Sequence, residues 1–198
     1  MRDCNKKLNI EQIEELRASL IRDINAFKEF NNNEAKRDIE FYLINTDKLE
    51  NSLALFCNYC ECFIEQSGNE ETERKYVEVI EGFINLGADF NKKPWAVMTP
   101  LFTEARKGNV KIVEYLLSLG AKVDLYYKEF NHHKVTPLMI AAQNGRDAVV
   151  NTLLNAGAMI NKRDSEGYRA IDYACMNGRT STAKLLISRG SIAPRKVK

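Results

Sequence analysis

Four segments of the chain share one order of apolar and polar positions, and each ends at a glycine followed by a small residue. These pairs are Gly87-Ala88, Gly120-Ala121, Gly157-Ala158 and Gly190-Ser191, and their spacings are 33, 37 and 33 residues. Ahead of each glycine, apolar residues recur at helical spacing, as at Ile112, Val113 and Leu116. A period near 33 residues predicts a solenoid in which helical units stack on one another.

A second pattern comes before two of these helices, in "MTPLFTEARKG" at 98–108 and "VTPLMIAAQNG" at 135–145. The hydroxyl of Thr136 can cap a helix N-terminus, and Pro137 then occupies the first helical position, where its missing N–H costs nothing. Gly145 can adopt the left-handed conformation that ends a helix. Each block therefore predicts a short helix ahead of the longer one, so that the repeating unit is a pair of helices.

These blocks closely resemble ankyrin repeats, whose unit is a β-turn followed by two antiparallel helices with a T-P-L-H-x-A signature. Residues 99–124 and 136–161 match nearly throughout. Residues 164–190 match more loosely, since Arg169-Ala170 replaces the Thr-Pro pair, and 69–91 match only the second helix and its loop. Phe102 and Met139 stand where the family favours His, so both blocks lack the imidazole that usually makes a capping contact. The resemblance implies an all-α solenoid with β-turn hairpins.

The N-terminal third has its own helical pattern. Asn9, with Gln12 three residues on, begins a predicted amphipathic helix over 10–30, and further helices are predicted over 34–44 and 48–65. A separate catalytic domain of under about 50 residues would have a marginal core, so we interpret this part as a cap on the stack. The predicted organisation is capping helices at 1–47, a divergent first repeat at 48–91, a repeat at 92–124, a repeat with an extended hairpin at 125–161, a C-terminal capping repeat at 162–191 and a basic tail at 192–198.

Composition indicates a soluble folded protein. Charged residues make up 28% and hydrophobic residues 44% of the 198 positions. We expect no membrane span and no signal peptide, because no apolar stretch is long enough. The five cysteines are odd in number and unevenly spread, which favours a reducing, cytosol-like compartment. Charge is asymmetric: residues 1–90 carry 11 Lys and Arg against 19 Asp and Glu, whereas 91–198 carry 18 against 8.

Candidate metal or catalytic chemistry is weak. "CNYCEC" places Cys57 and Cys60 on one helix face but turns Cys62 away, and no second Cys/His pair lies nearby to complete a zinc site. Core packing is the simpler interpretation, since free cysteine is among the most buried residue types. The adjacent His132 and His133 make a poor pair of ligands, and no phosphate loop or hydrolase motif is present in the sequence. We therefore expect no metal, no cofactor and no enzymatic activity.

Two local features suggest contact with a partner. The loop "DLYYKEFNHHKV" at 124–135 holds the four extra residues of the 37-residue spacing, and its aromatic side chains either pack on each other or form a projecting recognition hairpin. Trp95 aligns with the tip of the preceding β-turn, where there is little core to enter. It is either an interface residue or packed on the N-terminal helices.

The resemblance further implies that partners bind the concave side, which is formed by hairpin tips and by variable positions of the first helices. The corresponding residues here are Lys92, Lys93, Trp95, Arg106, Lys107, Tyr126, Tyr127, Lys128, His132, Lys134, Gln143, Asn144, Lys162, Arg163, Met176 and Asn177. This set is aromatic and basic, which suits an acidic, partly apolar protein segment. We therefore expect a monomeric, non-enzymatic protein-interaction module.

Two alternatives stay open. The basic C-terminal half could bind nucleic acid or an anionic membrane, although its positive residues are mixed with aromatic residues and amides. A cryptic enzyme could instead use the Cys57, Cys60 and Cys62 cluster with a histidine. The Asn, Ile and Lys bias is typical of an AT-rich bacterium or a virus. By analogy with small ankyrin proteins there, the chain is either cytoplasmic or an effector delivered into a host cell.

Overall fold

A computed structural model of the chain describes residues 9–26, 37, 39, 53, 54, 56, 57, 70–92, 98–128 and 134–194. Its contacts divide the chain into two compact units. One unit comprises residues 1–62 and 69–90, and the other comprises 63–68 and 91–198. Within the described ranges, no helix is long and apolar enough to cross a lipid bilayer.

The first unit contains helix α1 (Ile10–Ala26) packed against helix α2 (Glu70–Asn85). The predicted start of α1 is confirmed, because the backbone N–H of Gln12 donates to Asn9 Oδ1 at 2.8 Å and the N–H of Asn9 donates to Gln12 Oε1 at 3.0 Å. Of the predicted helix at 10–30, residues 27–30 lie outside the described residues. The other two predicted helices are represented by Arg37 and Ile39 and by Leu53, Ala54, Phe56 and Cys57, all of them helical.

Three buried aromatic rings lie together in the core of this unit. The ring of Phe56 lies 5.0 Å from that of Tyr76 and 6.1 Å from that of Phe83, measured between centroids. All three side chains are fully buried. The apolar face of α2 is therefore directed at the segment around Phe56, as the helical spacing of these residues requires.

The second unit is built from three consecutive helix pairs. They are α3 (Pro100–Lys107) with α4 (Val110–Ser118), α5 (Pro137–Asn144) with α6 (Asp147–Asn155), and α7 (Ala170–Met176) with α8 (Thr180–Ser188). The first helices α3, α5 and α7 pack side by side, and so do the second helices α4, α6 and α8. This arrangement confirms the predicted all-α solenoid.

Small and β-branched residues allow the repeats to approach each other. Ala141 and Ala142 on α5 and Val149 and Val150 on α6 are fully buried. Each of these positions faces a neighbouring helix, so the stack forms one continuous core in which each unit contacts the adjacent units. The first helix of the middle repeat ends at Gly145, whose φ of 71° is the left-handed conformation expected for it.

One polar position links each repeat to the next. The side chain of Asn91 donates to the carbonyl oxygen of Gly120 at 3.2 Å and accepts from the N–H of Lys122 at 2.8 Å. Two repeats later, the side chain of Asn161 likewise donates to the carbonyl oxygen of Gly190 and accepts from the N–H of Ile192. These bonds satisfy backbone groups that the ends of the second helices would otherwise leave without partners.

The last repeat replaces the usual cap with an ion pair. Arg169 and Asp172 are both buried, and the Nε of Arg169 lies 3.1 Å from a carboxylate oxygen of Asp172. The same guanidinium donates to the carbonyl oxygens of Ile192 and Ala193 at 3.2 and 2.7 Å. The start of the tail is thereby attached to the first helix of its own repeat.

Candidate partner-binding surface

Threonine caps set the direction of the first helices. The hydroxyl of Thr136 accepts from the N–H of Met139 at 3.3 Å, and Thr99 does the same for Phe102 at 3.4 Å. In the middle repeat the N–H of Thr136 donates to Met139 Sδ at 3.4 Å. The thioether thus takes the place of the imidazole that the sequence lacks at this position. Both hairpin-to-helix junctions are consequently fixed by local hydrogen bonds.

The extended hairpin is a two-stranded antiparallel sheet of β1 (Tyr127–Lys128) and β2 (Lys134–Val135). The ring of Tyr127 lies 5.4 Å from the buried ring of Phe102 on α3, so this half-buried tyrosine anchors the hairpin to the preceding repeat. The ammonium of Lys134 lies 5.6 Å from the ring centroid of Tyr126. The structure therefore brings two predicted site residues, Tyr126 and Lys134, together on the hairpin, and gives Tyr127 a packing contact.

Several predicted cations are held by groups of the chain itself. Lys107 Nζ lies 3.3 Å from Glu104 Oε1, and the side chains are only 7% and 0% exposed. The amide of Asn109 donates to the other oxygen of Glu104 at 2.5 Å. Lys107 is therefore part of a buried polar cluster. Its ammonium is paired with Glu104 and has little exposed surface with which to contact a partner.

The third hairpin has one bound and one exposed cation. Lys162 Nζ donates to the carbonyl oxygen of Asp124 at 3.3 Å and lies 4.0 Å from its carboxylate. Arg163 is exposed, and its Nη1 donates to the carbonyl oxygen of Gly167 at 2.9 Å. Lys92, ahead of the first helix pair, is exposed as well. Lys162 therefore joins two repeats, whereas the side chains of Arg163 and Lys92 lie at the surface.

The predicted variable positions lie in the last turns of the first helices or at the residue after. Arg106, Gln143 and Asn144 are half-buried, and Met176 is 43% exposed. The amides of Asn144 and Asn177 donate to carbonyl oxygens of their own helices, those of Ile140 and Tyr173, at 2.8 and 2.9 Å. Because α3, α5 and α7 are neighbours, these positions form one row along the stack.

Four predicted residues have no described side chain. Lys93, Trp95 and His132 lie outside the described residues, and the same holds for the side chain of Lys128. Their role in partner binding stays a prediction.

Two arginines that were not predicted as site residues, Arg146 and Arg179, directly follow the glycines that end α5 and α7. The Nε of Arg146 donates to the carbonyl oxygen of Arg106 at 3.3 Å, and that of Arg179 donates to the carbonyl oxygen of Gln143 at 3.1 Å. The signal was the repeated string Asn-Gly-Arg in "QNGRD" and "MNGRT", spaced by one period. The two arginines belong to the same row of helix ends.

Two of the cysteines, Cys57 and Cys175, belong to the described part of the chain. Cys57 is buried and Cys175 is exposed, whereas Cys60 and Cys62 lie outside the described residues. Partial burial, followed by the charge of Asp172, raises the pKa of the Cys175 thiol. Within the described ranges, no three His, Cys, Asp or Glu side chains are grouped to hold a metal ion.

The chain matches a known family of repeat proteins. A family model of ankyrin repeats matches three copies, over residues 72–164 and 126–196. The matched ranges include all three helix pairs of the second unit and most of α2. No curated protein matches the chain.

Proposed function

This chain belongs to the ankyrin-repeat family, and on that premise we propose that it is a non-enzymatic module that holds an acidic, partly apolar protein segment on its concave face. Ankyrin repeats are generally protein–protein interaction modules. The proposal adds the chemistry of the partner and the residues that contact it. These are the hairpin residues and the row of helix ends described above.

One observation carries the proposal, the pair of Tyr126 and Lys134 on the extended hairpin. Lys134 is exposed, and its ammonium lies over the Tyr126 ring at 5.6 Å. No carboxylate lies within ion-pair distance of this ammonium among the described side chains. An ammonium held on an aromatic face keeps donors for an incoming carboxylate, while the ring offers apolar area next to it.

The surrounding residues support the same partner chemistry. Lys92 is exposed ahead of α3, Arg163 is exposed ahead of α7, and Met176 adds exposed apolar area at the end of α7. Aromatic residues, methionine and arginine are the types enriched at protein interfaces. A segment that alternates acidic and apolar side chains would meet complementary groups along the whole row.

We also propose that the module acts as a monomer in a reducing compartment. The free thiol of Cys175 fits such a compartment. The raised pKa of Cys175 argues against a reactive nucleophile at that position, since the thiolate is the reactive form.

The test is a lysate pull-down with wild type, a Tyr126→Ala/Lys134→Ala variant and a matched Tyr115→Ala/Lys111→Ala control. The control removes the same two residue types from α4, where they lie one helical turn apart. Bound proteins are identified by mass spectrometry at low and moderate salt, and far-UV circular dichroism must be equal for all three proteins. We expect one protein to bind wild type and control at both salt concentrations and to be lost from the hairpin variant.

A different pattern would reject the proposal. If the hairpin variant captures the same protein as wild type, the hairpin is not the contact. If moderate salt removes all bound material from wild type, and that material is nucleic acid or lipid, the basic C-terminal half binds polyanions instead.

A further inference from the structure

Arg146 and Arg179 are held in equivalent positions by the preceding repeat. Each guanidinium donates through Nε to a carbonyl oxygen in the last turn of the preceding first helix, that of Arg106 for Arg146 and that of Gln143 for Arg179. Each side chain also lies over the glycine that ends that helix. A Cβ added at Gly108 would lie 2.8 Å from Arg146 Cδ, and one at Gly145 would lie 3.0 Å from Arg179 Cδ. The side chains are therefore ordered before any partner arrives.

This attachment uses only one of the five N–H groups of each guanidinium. The Nη atoms of Arg146 and Arg179 have no hydrogen-bond partner among the described residues, and neither arginine has a carboxylate within 4.0 Å there. The carboxylate of Asp147, next to Arg146 in the chain, accepts instead from the hydroxyls of Ser181 and Thr182. The contacts between repeats use only the Nε–H group of each arginine. The N–H groups on the two Nη atoms can therefore bind another molecule.

Arg189 provides the contrast within the same chain. Its Nη1 donates to Asn151 Oδ1 at 2.8 Å and its Nη2 donates to Asn155 Oδ1 at 2.7 Å, so both outer nitrogens are occupied. Arg189 ties two second helices together and has a complete set of partners for that purpose. Arg146 and Arg179 are attached through the inner nitrogen and present the outer ones.

Spacing limits what can bind both arginines at once. Arg146 and Arg179 occupy the same position at the start of α6 and α8, which pack against each other. Packed helices lie about 8–10 Å apart. A polyproline-II segment rises about 3.1 Å per residue with three residues per turn, so side chains at i and i+3 share a face about 9 Å apart. An extended β-strand places i and i+3 on opposite faces and does not match.

We propose that Arg146 and Arg179 form a two-point clamp for carboxylates at positions i and i+3 of a polyproline-II protein segment. Each outer guanidinium edge binds one carboxylate through paired N–H donors, and the half-buried position of Arg146 strengthens its pair over a fully exposed one. This inference rests on the proposed function and names the register of the acidic residues in the partner. The clamp lies in the row of helix ends that the proposed binding face includes.

The test uses two synthetic peptides of the same composition. Acetyl-Pro-Glu-Pro-Pro-Glu-Pro-amide places its carboxylates at i and i+3, and acetyl-Pro-Glu-Pro-Glu-Pro-Pro-amide places them at i and i+2, on different faces of the helix. Affinity is measured for the full-length chain as wild type, as Arg146→Gln/Arg179→Gln and as Arg189→Gln/Lys184→Gln. The last variant removes the same two charges from side chains outside the clamp.

We expect the i, i+3 peptide to bind wild type with a dissociation constant below about 1 mM and at least about tenfold more tightly than its isomer. The clamp variant should lose about tenfold or more, and the control less than about twofold. Equal affinity for the two peptides, equal losses in the two variants, or no binding below about 1 mM would each overturn the proposal.

A second measurement needs no variant and guards against unfolding of the clamp variant. In ¹⁵N-labelled wild type, titration with the i, i+3 peptide should shift the Nε–H signals of Arg146 and Arg179 and leave that of Arg189 in place. Uniform shifts of all three would overturn the clamp. If the lysate partner is lost from the hairpin variant but still binds the clamp variant, this inference fails while the proposed function stands.

Discussion

The buried ion pair of Glu104 and Lys107 makes a quantitative prediction about stability. In the second and third repeats the position of Glu104 is taken by Ala141 and Ala174, so the charge is specific to the first helix pair. Glu104 is fully buried, and it contacts Lys107 at 3.3 Å and Asn109 at 2.5 Å. Removing one partner of a buried pair leaves an uncompensated charge, which costs about 3 kcal/mol.

We therefore expect Glu104→Ala and Lys107→Ala each to lower the free energy of unfolding by about 3 kcal/mol. The double variant should also cost about 3 kcal/mol, not about 6, because neither charge is then left alone and the remaining cost is a cavity. The coupling energy of the cycle is thus about 3 kcal/mol, at the upper end for residues in contact. For a chain of this size, each single variant should lower Tm by about 6–12 °C.

Urea unfolding at pH 7 measures the cycle, followed by far-UV circular dichroism and by tryptophan fluorescence. The emission of the single tryptophan, Trp95, is a second probe that does not depend on helix content. Coincident transitions by both probes justify a two-state treatment, which repeat proteins do not always satisfy. Additive losses in the double variant, or single losses below about 1 kcal/mol, would refute the reasoning that the pair is a buried, coupled unit.

The remaining predictions concern the second and third repeats. Thr136→Ala should lower the free energy of unfolding in urea by about 1 kcal/mol, because a helix cap is lost. Met139→Leu should lower it by a similar amount, because the N–H of Thr136 loses its acceptor. An unchanged free energy of unfolding in either variant would contradict these capping contacts. Arg169→Ala should cost about 3 kcal/mol in urea unfolding, since the pair with Asp172 and the attachment of the tail are both lost; a loss below about 1 kcal/mol would contradict these contacts. Cys175 should be alkylated more slowly in the folded than in the urea-unfolded chain at pH 8, because its raised pKa leaves less thiolate at that pH; peptide mapping by mass spectrometry gives the rate, and equal rates would show that the folded environment has no effect.

The fold could be predicted from sequence because its signals are local. Thr136, Pro137 and Gly145 lie within ten residues of one another, and the cap, first turn and terminus they specify are those observed. The same holds for Asn9 and Gln12 at the start of α1. Helix periodicity and capping chemistry are properties of short segments, so one sequence suffices to recognise them.

The site was harder to predict because its contacts join residues far apart in the chain. The contact of Tyr127 with Phe102 and that of Lys162 with Asp124 span 25 and 38 residues, and no local pattern distinguishes a side chain so held from an exposed one. Arg146 and Arg179 could have been found, since the Asn-Gly-Arg string recurs at the repeat period. Comparison of equivalent positions between repeats reveals such residues, whereas a motif search does not.

The pairing of β1 with β2 has a consequence for how this protein can change over evolution. Tyr127 pairs with Val135 and Lys128 pairs with Lys134. The two ends of the hairpin loop are therefore held together just before α5 begins. Any change in the length of the segment between Lys128 and Lys134 leaves the two ends of the strand pair where they are, and the spacing of the helices is unaffected. Insertions and deletions here can therefore be selected for partner specificity without being selected against for stability, which makes this hairpin the place where related chains should differ most.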